Sequence, residues 1–149
     1  MKGISIFSYL NRFVIVPKQR SKSGLMYSSN KFIVSNEGPS DVELWQLIEQ
    51  GLNEFKILDT EYDRNSASSK NFNKDLSKSV GAKSHKQFWE NSQSMVVTVK
   101  DDSYFLETIN RAVNYKGYQG YFLPPEQFDK NSTLSIANRI LKIVKLMNE

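Results

Sequence analysis

Ser40 stands three residues ahead of Glu43, at the head of a run in which Leu44, Trp45, Leu47, Ile48, Gly51, Leu52 and Phe55 recur at helical spacing. No other feature constrains the fold as strongly. The Ser and Glu side chains can each cap the other's backbone N–H, so the spacing predicts a helix from about Asp41 to Phe55. Its other side carries Glu43, Gln46, Glu49, Gln50, Asn53 and Glu54. A helix with one apolar face must lay that face on an apolar surface supplied by the rest of the chain.

A second helix of the same kind is predicted after Ser132, running to about Met147. Ile136, Ala137, Ile140, Ile143, Val144 and Met147 lie on one side, and Ser135, Asn138, Lys142 and Lys145 on the other. At a constant offset of 92 residues the two helices match Leu44 with Ile136, Ile48 with Ile140 and Leu52 with Val144. Each follows an aromatic-rich segment. A degenerate duplication would produce this match, and so would any two capped amphipathic helices.

The surface under them is expected to be a sheet. Phe13-Val14-Ile15-Val16 is a β-branched run stopped by Pro17, and Leu25-Met26-Tyr27 and Phe32-Ile33-Val34 read as two short antiparallel strands. Met95 to Val99 and Tyr104 to Ile109 form a hairpin about the turn Asp101-Asp102-Ser103. Ala112 to Tyr115 and Tyr118 to Leu123 offer two more strands, the second ended by Pro124-Pro125. Ser84 can cap a short helix through Phe88-Trp89. The polar, low-complexity stretch at about 59–79 reads as a long irregular loop. The expected fold is α+β in a single domain, 1–149: one mainly antiparallel mixed sheet with the two long amphipathic helices packed on it.

With no cysteine, the chain lacks disulfides, thiol nucleophiles and thiolate metal sites, and His85 is its sole imidazole. Multi-histidine metal centres are therefore excluded, and a Ser-His-Asp triad would have to use His85, which sits between Ser84 and Lys86 at a helix start. The carboxylate pairs Asp101-Asp102 and Glu61 with Asp63 fall in a turn and a loop. Gly81, Gly117 and Gly120 form no phosphate-cradling or dinucleotide fingerprint. No catalytic residue, metal or cofactor is expected. The N-terminus makes a poor secretory signal, and no run approaches the ~20 apolar residues of a membrane span, so a cytoplasmic protein is expected.

Charge distribution says more than the net charge of +4. Residues 1–35 carry six bases and no acid, whereas residues 36–63 carry eight acids against Lys56 alone. Such an acidic segment in a basic chain is either a solvated helix face or a docking surface for a basic partner. Lys70, Lys74, Lys78, Lys83 and Lys86 make a basic series, but Phe72 is the one aromatic within it and no recognition motif accompanies it, which argues against direct nucleic-acid binding.

Leu76 to Phe88, containing Gly81-Ala82-Lys83-Ser84, leads into a Val-rich strand, and Gly117-Tyr118-Gln119-Gly120-Tyr121-Phe122-Leu123-Pro124 leads to the terminal helix. These segments resemble the CdiI type of contact-dependent growth inhibition immunity protein. Tyr27 to Phe55 matches that family more loosely, and the region near 60–75 does not match. The resemblance implies a bacterial cytoplasmic protein, not an enzyme, that binds and neutralises the C-terminal toxin domain of a cognate CdiA-type effector. Such toxins are commonly nucleases, several of them attacking tRNA. Immunity proteins for nucleases are often acidic, so the sequence pI near 9.2 is a departure. It leaves either the acidic segment as the contact or a site away from the toxin's active centre. The expected contact residues are Glu43, Glu49, Glu54, Asp59, Glu61 and Asp63, with Tyr62 as an aromatic anchor among the acids. The alternatives are a small nucleic-acid-binding accessory protein and an enzyme relying on carboxylates alone.

Overall fold

The computed structural model describes residues 1–111 and 118–148, so the Ala112 to Tyr115 strand lies outside the described residues. Its elements run β1 (Lys2–Tyr9), β2 (Arg12–Arg20), β3 (Met26–Ser28), β4 (Ile33–Val34), α1 (Asp41–Asn53), β5 (Lys56–Ile57), α2 (Ala67–Ser79), α3 (His85–Glu90), β6 (Ser92–Lys100), β7 (Ser103–Arg111), β8 (Tyr118–Asp129) and α4 (Thr133–Met147). An eight-stranded sheet follows the order β3-β2-β1-β6-β7-β8, with β4 and β5 also on β2. Among the described residues every pairing is antiparallel except β5 with β2. The expected α+β fold is thus present, with helices on both faces of the sheet.

Alternation along the strands divides the core into two layers. Ile4, Ile6, Ile15, Met95, Val97 and Leu106 point to one face, where α1 contributes Leu44, Trp45, Ile48 and Leu52 and α4 contributes Ile136, Ile140, Ile143 and Val144. Phe7, Tyr9, Val14 and Val16 point to the other face, against Leu76, Val80 and Phe88 from the α2–α3 region. Both halves of the predicted α1 capping box form, with Glu43 N–H donating to Ser40 Oγ and Ser40 N–H to Glu43 Oε1, each at 3.2 Å. Ser132 stands at the N-cap of α4 as expected, yet its side chain makes no capping bond. A hydrogen-bonded relay ties the first layer to the sheet: buried Ser8 Oγ donates to Gln93 Oε1, and Gln93 Nε2 to the exposed Asn148 Oδ1, both at 2.6 Å.

Several expectations are corrected. β1, read only as a failed signal sequence, is a central strand between β2 and β6. β2 continues through Pro17: the proline carbonyl accepts Ser29 N–H at 2.9 Å, so its missing donor falls where the chain passes from β3 to β4. β3 and β4 pair with β2 and not with each other. β8 likewise runs past Pro124-Pro125, which sit at an edge-strand irregularity between the pairs Leu106–Glu126 and Thr108–Leu123. The largest correction is the polar stretch, whose second half is α2. Ser66 caps it by accepting from Ser69 N–H at 3.2 Å, and Phe72, Leu76 and Val80 recur every fourth residue as its packed side.

Candidate functional site

The segment after α1 is laid along the end of β2. Lys56 and Ile57 pair with Gln19 and Arg20. Leu58 N–H donates to the Arg20 carbonyl and Lys22 N–H to the Thr60 carbonyl, each at 2.9 Å. The chain then turns into α2 through Asp63. Its carbonyl accepts Ser69 Oγ at 2.8 Å, and its carboxylate accepts Asn65 N–H at 2.9 Å. Between this strap, β3 and α2 lies a hollow of ≈ 460 Å³ lined by Tyr27, Glu61, Tyr62, Asp63, Phe72 and neighbouring Asn and Ser side chains. Tyr62 packs on Tyr27 with ring centroids 4.7 Å apart and planes tilted by 52°. It keeps 40% of its surface exposed, and Phe72 on the opposite wall packs on Phe32 at 5.6 Å.

Three of the seven sequence-predicted contact residues, Glu61, Tyr62 and Asp63, meet in that hollow. The others lie elsewhere. Asp59 is exposed on the strap. Glu43 and Glu49 are exposed on α1, Glu43 beside a second, shallower hollow with Gln46 and Gln50. Burial raises the Tyr104 hydroxyl pKa, and the Glu49 charge adds to the effect. Glu54 is ion-paired with Lys31 at 2.8 Å, and this hydrogen bond holds its carboxyl below the usual range. Tyr27 and Phe72 were missed as site residues, because only the pairing of β3 with β2 and the folding of α2 bring them to Tyr62.

The basic series changes character once α2 is a helix. Lys70, Lys74 and Lys78 fall four residues apart on the side away from Phe72 and Leu76, all exposed. His85 lies at the start of α3 with Nδ1 3.4 Å from Ser77 Oγ and its ring 6.3 Å from Phe88. Burial pushes its pKa down. The unfolded chain therefore takes up this proton first, and stability falls as pH drops through about 6.5, levelling off below the folded value. A small loss of urea midpoint is expected between pH 7.5 and 5.5, and His85→Gln should remove that component. An unchanged pH profile in the variant would refute the assignment to His85.

Among the described residues there is no helix long and apolar enough to cross a membrane and no cluster of His, Asp and Glu that could hold a metal. Fold and hollow together define an α+β domain that presents a recess walled by tyrosine and carboxylate. Two of the solved structures that share this architecture are informative. One is a protein of unknown function from Neisseria meningitidis, with TM-score 0.75 and 9% identity over 95% of this chain and 91% of that one. The other is a chain of the CdiA-CT/CdiI toxin and immunity complex from Yersinia pseudotuberculosis, with TM-score 0.69 and 12% identity over 90% and 89%. No protein-family model and no curated protein sequence matches.

Proposed function

We propose that this chain is an immunity protein that holds the C-terminal toxin domain of a contact-dependent growth inhibition effector in a stoichiometric complex and turns over no substrate. The fold shared with a chain of a toxin and immunity complex supports this reading, and the sequence resemblance is to the immunity partner. The observation that carries it to a surface is the meeting of Glu61, Tyr62 and Asp63 with Tyr27 in one fixed recess. A toxin that binds nucleic acid presents a basic substrate groove, and carboxylates can occupy it in place of phosphate. On this reading the target is a nuclease, tRNA among its candidate substrates, and the complex forms in the cytoplasm. Glu43, Glu49 and Asp59 add a longer-range negative field to the recess, whereas the charge of Glu54 is largely offset by Lys31.

Co-expression with a candidate toxin domain, sought in the genes neighbouring this chain's own, tests the proposal. A one-to-one complex whose nuclease activity is silenced at equimolar immunity protein is expected. Failure to co-purify at micromolar concentration, or turnover of any substrate by the pure chain, refutes it. For the acidic helix, Glu49→Lys with Glu54→Lys should slow association severalfold at low salt and leave dissociation nearly unchanged, since exposed charge acts mainly on encounter. Stopped-flow association measured against ionic strength checks this, and wild-type rates would remove α1 from the interface.

The α2 lysine stripe keeps one competing reading in view, an accessory protein for nucleic acid. Half-buried Phe72 leans on Phe32 and is not free to stack on a base. Steeply salt-dependent binding of RNA by the isolated chain, abolished by Lys70→Glu with Lys74→Glu, would favour it over immunity.

A further inference from the structure

We infer that the recess between β3, the strap and α2 receives an arginine side chain of the toxin domain, its guanidinium against the Tyr27–Tyr62 pair and its charge met by Glu61 and Asp63; this rests on the immunity reading above.

The lining selects for a cation. Among the described residues it holds two carboxylates, three aromatic rings, and amides and hydroxyls, but no lysine or arginine, in a chain that carries 20 of them. The lining thus carries two negative formal charges and no positive one, in a chain whose net charge is +4. Aromatic faces beside carboxylates favour a cation with a flat, weakly hydrated surface, and guanidinium meets both demands better than ammonium. Its five N–H donors in a planar fork can engage a carboxylate and a side-chain amide oxygen together, where an ammonium offers three donors from a single point.

Size and rigidity point the same way. At ≈ 460 Å³ the recess exceeds one side chain and admits the turn of backbone that presents it, so a protein loop fits better than a bare ion. The walls are set beforehand. β5 and the Leu58 and Lys22 bonds pin the strap to β2, Asp63 is fastened to the start of α2, and Tyr62 is braced by Tyr27. Little ordering remains when the guest arrives, which is the condition for a strong local contact. Asp63 shares its carboxylate with Asn65 N–H, while Glu61 forms no ion pair among the described residues, so Glu61 is the more available charge.

The experiment has two arms. In the first, the isotope-labelled full chain is titrated with the peptide acetyl-Gly-Arg-Gly-amide and with the same peptide carrying neutral citrulline. Millimolar binding that shifts the amides of residues 27, 61–63 and 72 is expected from the arginine peptide alone. Glu61→Gln with Asp63→Asn should weaken it at least fivefold. The side-chain amide oxygen introduced at position 63 can still accept the Asn65 N–H, so the turn persists, and an unchanged melting curve verifies that. No shift in these residues, an equal response to citrulline, or indifference to the double variant overturns the inference while leaving the immunity reading standing. In the second arm the toxin domain is the probe. The double variant should hold it about tenfold more weakly. Equal affinity would mean that the recess is not the contact, whereas a wild-type chain that binds the peptide but no toxin overturns the immunity reading itself.

Discussion

Replacing Gly51 with valine is expected to cost the fold about 3 kcal/mol, at the upper end of what overpacking a filled core does. A Cβ at this position would stand 2.6 Å from Ile15 Cγ2 and 3.2 Å from Ile4 Cγ2. Neither neighbour can swing out of the way, because both are fully buried between the sheet and α1. Glycine in a helix interior sacrifices about 1 kcal/mol of helix propensity against alanine, so its presence here is explained by contact rather than by local preference. Gly51→Ala brings the same Cβ contact and should also destabilise, though less than Gly51→Val, because it adds no γ-methyls and the gain in helix propensity offsets part of the clash. Urea unfolding of the three proteins separates these terms. With a slope of about 1–3 kcal/mol per molar for a small domain, the valine variant should lose at least about 1 M of midpoint. A wild-type midpoint for Gly51→Val would mean that α1 does not sit this close to β1 and β2.

That glycine also marks how far the fold was legible beforehand. α1, α3, α4 and the β6–β7 hairpin are written in local signals: a capping residue, a 3.6-residue apolar period, a turn between alternating runs. β1 is not, because its apolar/polar alternation breaks at Ile6-Phe7. It is buried on both faces, so Ser5 and Ser8 sit in the core beside Ile4, Ile6 and Phe7 and make the segment look like an interrupted apolar run. α2 fails for a different reason. Ser and Asn favour caps and turns when nothing else acts, and only the burial of Leu76 with the packing of Phe72 tips the balance to helix. The prolines mislead because a proline breaks a ladder only where its missing N–H is needed. Pro17 faces a gap between short strands, and Pro124 and Pro125 lie on the edge strand β8.

The site divides along the same line. Tyr62 stands out in sequence because a large ring among acids has no place in a core, and it is indeed exposed. Its brace, Tyr27, belongs to a three-residue strand 35 positions earlier, and no local rule connects the two. Contiguous acidity in the sequence did not become contiguous acidity in space. Part of it lies on the outer side of α1, part is neutralised by Lys31, and part rims the recess. A negative segment in a basic chain need not therefore act as a unit, and its members call for separate tests.

Truncating Tyr62 to alanine is the sharpest of these and should weaken toxin capture about thirtyfold, the effect of removing an interface anchor worth about 2 kcal/mol. The ring is 40% exposed in the free protein, yet it is held on Tyr27 at 4.7 Å, so its orientation is set before any partner arrives. Losing it removes apolar area at the contact and one wall of the recess, and leaves Glu61 and Asp63 in open solvent, where a charge pair gains little. Tyr62→Phe keeps ring, brace and wall and should stay within about threefold of wild type, which separates the ring's role from that of its hydroxyl. Stability is expected to fall by less than about 1 kcal/mol, because the side chain lies outside both core layers. Equilibrium titration and dissociation rates with the toxin domain, set beside thermal melts of the free variants, make the comparison. The loss should appear mainly in dissociation, as it does when a buried anchor is removed and long-range charge is left alone. If Tyr62→Ala melted normally and bound like wild type, the recess would be a surface feature without a guest, and the immunity reading would have to rest on another face of the domain.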